Sequence, residues 1–178
     1  MAKIGKLIRE IVPVFVLAVL VAVLFKNFVV DNRVIPSASM EPTVPTGARM
    51  LVNQMVYLWG EPEFQDIVVF EPTDSTKAAV GRSDDMLKRV IGLPGDVVQI
   101  SDGVLYVNGA AIEEPYLQEP MWYEYGPVTV PEGCVFLLGD NRNNSYDSHS
   151  WSDPFVPIDN VEGRALLLYW PFDQFGTF

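Results

Sequence analysis

Cysteine and histidine, the side chains most used for nucleophilic and metal chemistry, occur once each, as Cys134 and His149. One cysteine excludes an intramolecular disulfide. Its place in Cys134-Val135-Phe136-Leu137-Leu138 reads as a buried strand, where a thiol stays protonated and inert. One His with one Cys cannot build a zinc site, and Arg142 stands where a calcium loop starting at Asp140 would want Asp or Asn. No metal and no cofactor is therefore expected. His149 shares a polar loop with Asp147 and Ser148, but neighbours on an extended chain point in different directions, so the three cannot form a triad among themselves.

Basic residues are scarce as well, 12 Lys and Arg against 23 acidic residues, and four of the basic ones (Lys3, Lys6, Arg9, Lys26) fall in the first thirty positions. The remainder carries 8 basic and 22 acidic residues, a net −14. Phosphate backbones would repel such a domain, so nucleic acid is excluded as a partner. The domain should also stand off anionic lipid unless apolar groups hold it there. Met121-Trp122-Tyr123 and Tyr169-Trp170-Pro171-Phe172, with Phe175 and Phe178, are aromatic clusters that suit membrane lipid as a partner and equally suit ordinary core and terminus packing.

Long apolar runs are limited to one, Ile11 to Phe25, preceded by Lys3, Lys6 and Arg9. Fifteen helical residues rise about 22 Å, short of the roughly 30 Å hydrocarbon core. Extension through Lys26, which can snorkel, to Val30 reaches spanning length. A cleaved signal peptide ending at the small residues Ser37-Ala38-Ser39 is the competing reading. That string lies far past the apolar run, so a retained anchor over 11–30 is expected. The basic flank places residues 1–10 in the cytoplasm and 31–178 outside, giving a single-pass protein of the cell membrane.

Repeats and low-complexity tracts are missing, and helical periodicity is weak beyond the anchor. What remains is a set of short β-branched and aromatic runs: Met50–Leu58, Asp66–Phe70, Met86–Ile91, Val97–Ile100, Val104–Val107, Val128–Val130, Val135–Leu138 and Gly163–Tyr169. Leu93-Pro94-Gly95-Asp96 suits a type II turn, and Asn108-Gly109 suits a hairpin turn of type I′. Glu71 to Asp85 reads as an exposed loop, and 113–126, rich in Glu, Pro and aromatics, as an excursion from the sheet. The expected fold class is mainly β: an N-terminal transmembrane helix followed by a domain of antiparallel sheets.

Two stretches carry chemistry. In Ile35-Pro36-Ser37-Ala38-Ser39-Met40-Glu41-Pro42-Thr43 the prolines keep the backbone out of helix and stiffen a loop that could aim a serine. Taken alone it also fits a linker. In Met86-Leu87-Lys88-Arg89-Val90-Ile91, strand alternation puts Lys88 and Arg89 on opposite faces, so one cation must meet apolar surroundings. An edge strand carrying solubilising charges is one explanation. The other is a desolvated Lys88, whose neutral amine could take the proton of a serine; lowering a lysine pKa from ~10.4 to ~8 needs about 3.3 kcal/mol. Serine-lysine pairs are a known variant of the catalytic triad.

With these residues assembled, the chain resembles the bacterial type I signal peptidases, membrane-anchored serine-lysine enzymes that remove signal peptides from exported proteins, and among them the compact single-anchor type of Gram-positive bacteria. The resemblance rests on Pro36 to Thr43, Asp66 to Phe70, Lys88-Arg89-Val90-Ile91-Gly92-Leu93-Pro94-Gly95-Asp96, Gly139 to Ser148, and Val161 to Ala165, in order along the chain. It implies Ser39 as nucleophile and Lys88 as general base. The Ser39 N–H and the Ser37 hydroxyl would form the oxyanion hole, Ser145 would orient the lysine, and Asp140, Arg142 and Asp147 would support the site. It further implies preprotein substrates with small residues at the first and third positions before the cut, bound along Ile35, Pro36, Val44, Asp85, Met86 and Leu87. Gln65 stands where the family has glycine, and His149 where it has arginine. The alternative is a non-catalytic membrane-anchored protein with the same fold.

Overall fold

The computed structural model describes residues 9–20, 30–81 and 83–178. A helix, α1, covers 9–20 with every side chain exposed, its apolar ones included. Among the described residues no helix is long and apolar enough to cross a membrane. Residues 21–29 of the expected anchor lie outside the described residues, and its expected last residue, Val30, already belongs to a strand.

The β-branched runs pair as antiparallel sheets. Strands β1 (Val30–Val34), β2 (Arg49–Asn53), β3 (Ile67–Phe70), β4 (Met86–Gly92), β9 (Cys134–Leu138), β10 (Phe155–Pro157), β11 (Val161–Trp170) and β12 (Gly176–Thr177) form the larger sheet. Its order is β1-β2-β11-β3-β4-β9-β10, with β12 on β11. A smaller sheet has the order β7-β6-β5-β8, from β5 (Val97–Ser101), β6 (Val104–Val107), β7 (Ala110–Ala111) and β8 (Tyr125–Thr129). The β6-β7 hairpin turns at Asn108 and Gly109, both at positive φ (54° and 78°), as a type I′ turn requires. Ile67 and Val69 of β3 pack into one core with Met40, Val44 and Leu87, whereas Val68 and Phe70 pack into another with Val90, Leu137 and Trp151. That double burial explains the unbroken apolar run in β3.

Several elements differ from the pattern-based expectation. Met50–Leu58 is not one strand: β2 ends at Asn53, and Val56–Leu58 forms a 3₁₀ turn, with the Asn53 side chain accepting from the Met55 N–H at 3.0 Å. The expected loop from Glu71 to Asp85 contains helix α2 (Asp74–Val80), whose N-cap Thr73 accepts from the Thr76 N–H and whose C-cap Gly81 is left-handed. The excursion ends earlier than expected, since β8 begins at Tyr125. β1, β10 and β12 are short edge or terminal strands whose composition does not announce them. Cys134 opens β9 half-buried, and burial followed by the nearby Asp153 pushes its thiol pKa up, in keeping with an inert thiol.

Gln65 sits at φ 71°, two residues before β3, its N–H donating to the Val90 carbonyl at 2.9 Å. A side chain in the left-handed region crowds its own carbonyl, and glycine does not. Gln65→Gly is therefore expected to stabilise the fold by about 0.5–1 kcal/mol after the larger unfolded-state entropy of glycine is subtracted. Thermal denaturation should show Tm rising by about 2 °C. A fall in Tm would contradict this account.

Candidate active site

β4 lies between β3 and β9, so its two cations are not on an edge. Lys88 is 3% and Arg89 8% exposed, and interior charges persist only with partners. The adjacent side chains find different ones. Lys88 Nζ donates to Ser39 Oγ at 2.8 Å and to the Leu87 carbonyl at 3.1 Å. Arg89 donates from Nε (2.8 Å) and Nη2 (2.6 Å) to the two oxygens of Asp140, and from Nη1 (3.0 Å) to the Gln65 carbonyl. Its guanidinium also lies 4.0 Å over the Tyr116 ring.

The serine loop is tied down from both sides. Met40 and Val44 are fully buried, the Val44 N–H donates to the Met40 carbonyl, and the Gly47 N–H donates to the Ile35 carbonyl. From across the site, the Asn141 backbone N–H donates to the Ser39 carbonyl and the Asn141 side chain to the Ala38 carbonyl, both at 3.0 Å. Thr43 Oγ1 donates to Asp140 at 2.5 Å, so one carboxylate holds both the serine loop and β4. Ser37 Oγ lies 3.4 Å from Ser39 Oγ, on the same side of the loop.

Gly139 explains how the third segment approaches so closely. A Cβ there would strike Ser145 Oγ and the Ser39 carbonyl, so only glycine fits between them. The Ser145 hydroxyl is buried and has no hydrogen-bond partner among the described residues. Asp147, fully buried, accepts from the Gly139 N–H at 2.8 Å and from His149 Nδ1 at 2.7 Å, and the His149 ring stacks on Tyr123 at 4.0 Å.

Arg142 does not pair with a carboxylate of its own loop. It forms a bidentate pair with Glu114 (2.8 and 2.5 Å) and donates to the Gly139 carbonyl at 3.0 Å. Burial pulls the Arg142 guanidinium pKa down, but Glu114 more than offsets it and the net direction is up. Tyr116 donates to Glu114 at 2.7 Å, and burial together with that carboxylate holds the phenol well above its ordinary pKa. The excursion is thus fastened to the serine-lysine site through Arg89, Arg142, Glu114 and Tyr116. Of these, Arg89, Glu114 and Tyr116 had no expected role. Glu114 is one acid among several in a Pro-rich stretch, and nothing local marks it.

A cleft of about 250 Å³ opens at Ser39 and Lys88. It is lined by residues 33–37 and 84–87, with Val69 from β3. Of the residues expected along the substrate, Ile35, Pro36, Asp85, Met86 and Leu87 line this cleft, and Val44 does not. Val44 is completely buried beneath Ile35 and Leu87, because the loop turns it into the core. The aromatic clusters also divide: Met121 is buried in a further core with Ile91, Ile100, Leu105 and Phe136, whereas Trp122 is 74% exposed and Trp170, Phe172, Phe175 and Phe178 are exposed.

Comparison with known proteins bears on this arrangement. The model of the family described as signal peptidase, peptidase S26, matches residues 8–170. The Synechocystis protein named "Probable signal peptidase I-2" is 47% identical over 167 residues, covering 94% of this chain and 75% of its own. Signal peptidase I of Bacillus caldolyticus is 37% identical over 177 residues, covering 92% and 91% respectively. A solved signal peptidase I from Enterococcus faecalis is 33% identical, covers 59% of this chain and 97% of its own, and superposes with a TM-score of 0.49. The chain belongs to the signal peptidase family, peptidase S26.

Proposed function

We propose that the chain is a membrane-anchored endopeptidase that removes signal peptides from exported preproteins by acyl transfer through Ser39. One observation carries the reading: a lysine amine, almost wholly buried, lies 2.8 Å from a serine hydroxyl at the head of a cleft. Burial disfavours the ammonium form, so a neutral Lys88 amine can act as base at ordinary pH. A precursor segment enters the cleft as an added strand, with main-chain hydrogen bonds giving affinity and small side chains at its first and third positions before the cut. Ser39 Oγ attacks the scissile carbonyl carbon while Lys88 takes the hydroxyl proton. The oxyanion is met by the Ser39 N–H and the Ser37 hydroxyl. Collapse breaks the C–N bond, the Lys88 ammonium returns the proton to the leaving amine, and the acyl group stays on Ser39. Water then attacks the ester with Lys88 again as base, releasing the carboxylate and regenerating the serine.

Ser145 makes no hydrogen bond among the described residues of the resting site, and its part in this reading is to receive the lysine once Lys88 leaves Ser39 Oγ, with Asp140, Arg142 and Asp147 holding the loops around the site. The apolar segment that starts at residue 11 and ends before β1 anchors the protein with residues 1–10 cytoplasmic, and the domain works at the outer membrane surface with its exposed aromatics toward lipid. The test is an acyl adduct trapped during turnover of a preprotein and mapped by mass spectrometry. The adduct is expected on Ser39 alone. An adduct on another residue would overturn the assignment.

A further inference from the structure

Arg33 draws together three parts of the larger sheet that are not neighbours in its pairing. It leaves the edge strand β1, while Glu162 belongs to β11, beyond β2, and Asp85 leads into β4, beyond β3. Its guanidinium donates Nε to Asp31, Nη1 to Asp85 and Nη2 to Glu162, the last at 3.0 Å. Asp31, two residues earlier on β1, shares the face of Arg33. Glu162 falls where the register of β11 against β3 shifts between Val161 and Gly163, and a bulge of this kind re-aims a side chain. The sheet therefore curls until its two walls approach, and one guanidinium spans the gap.

Arg33, Asp84 and Asp85 line the same cleft as Ser37, Ser39 and Lys88, and Arg33 stands six residues before Ser39 along the chain. Asp85 precedes Lys88 by three residues, which is about 10 Å of strand, the reach of three residues of an added peptide. We infer that Arg33, held by Asp31, Asp85 and Glu162, is a specificity-determining residue: it forms the end wall of the cleft and limits the size of the substrate side chain third before the cut, while the carboxylates it gathers disfavour an acidic one. The inference rests on the peptidase reading above, which says nothing of Arg33.

Two physical properties make the wall selective. It is stiff, because the fork has three anchors and the four side chains are only 25% to 34% exposed, so swinging Arg33 aside would strand half-buried carboxylates. It is also negative in sum, one guanidinium against three carboxylates, with Asp84 beside them. Burial, and after it the Asp85 charge, hold the Glu162 carboxyl above the usual carboxylate range, which fits a site already overfull of negative charge. A small neutral side chain fits against this wall. A long one must displace it, and an acidic one meets repulsion.

The experiment uses the full chain in detergent micelles and peptides carrying Ala, Leu, Gln or Glu at the third position before the cut. The wild type should cleave the Ala peptide faster than the Leu peptide. Arg33→Ala and Arg33→Met should narrow that kcat/KM ratio by about tenfold, mainly through KM, as expected for one side chain's worth of pocket discrimination. Gln and Glu differ in charge at nearly equal size, so the wild-type preference for Gln should shrink as salt is raised. This second measurement needs no variant. A ratio unmoved in the folded variants, or no Gln preference at low salt, overturns the inference while leaving the peptidase reading intact. A wild type that cleaves none of the peptides removes both.

Discussion

Lys88→Ala is expected to lower kcat/KM for a preprotein by about 10²- to 10⁴-fold, the usual worth of a positioned general base. The geometry gives the reason: the amine is the group at 2.8 Å from Ser39 Oγ, and without it the serine proton has no acceptor at that distance among the hydrogen bonds of the described residues. Ser39→Ala removes the proposed nucleophile itself, and groups that act as a unit do not add their losses. The double variant should therefore fall to the same floor as Ser39→Ala alone. Lys88→Met separates chemistry from folding. It keeps the unbranched stem in a site that is 3% exposed, so stability should change by less than about 1.5 kcal/mol while cleavage is lost. Preprotein cleavage followed on gels, with thermal denaturation of the same samples, reads both quantities. Full cleavage by Lys88→Ala, or equal costs to fold and activity in Lys88→Met, would remove Lys88 from the chemistry.

Why the meeting of Ser39 and Lys88 was legible and their surroundings were not follows from how each is encoded. Ser39 and Lys88 sit in stretches whose local composition is itself unusual: a Pro-framed serine loop, and two cations inside an apolar strand. The turns at Gly95 and at Asn108-Gly109 were legible for the same reason, since few residues take those backbone angles. Helix α2 carried its signals too, a capping threonine and a terminal glycine, but seven residues of mixed polarity show no period and look like loop. The ion pairs were illegible in principle. Arg89 finds Asp140 across 51 positions, Arg142 finds Glu114 across 28, and Arg33 finds Glu162 across 129, and no local pattern selects one acid from 23. Val44 shows the opposite error, since an apolar residue beside the serine loop reads equally well as pocket lining or as core.

The pair between Arg89 and Asp140 carries the largest expected effect on stability. Asp140 is buried, accepts two bonds from Arg89 at 2.8 and 2.6 Å and one from Thr43, and so joins β4 to the serine loop. Such a pair contributes little net stability compared with apolar packing, because desolvating both charges offsets their attraction. Breaking it is another matter. Asp140→Ala leaves the Arg89 charge 8% exposed with its Nε and Nη2 donors unmatched, which should cost about 3–5 kcal/mol. At about 2–4 °C per kcal/mol for a domain of this size, Tm should fall by roughly 6–20 °C. Arg89→Met in the same background removes the stranded charge and should recover much of the loss, a coupling visible only in the full double-mutant cycle. Cleavage should not recover with it, because Thr43 would still lack its acceptor and the serine loop its tether to β4. A cycle with additive losses would mean that the two groups do not depend on each other. Recovery of cleavage along with Tm would mean that Asp140 acts on the fold alone, with no part in aiming Ser39.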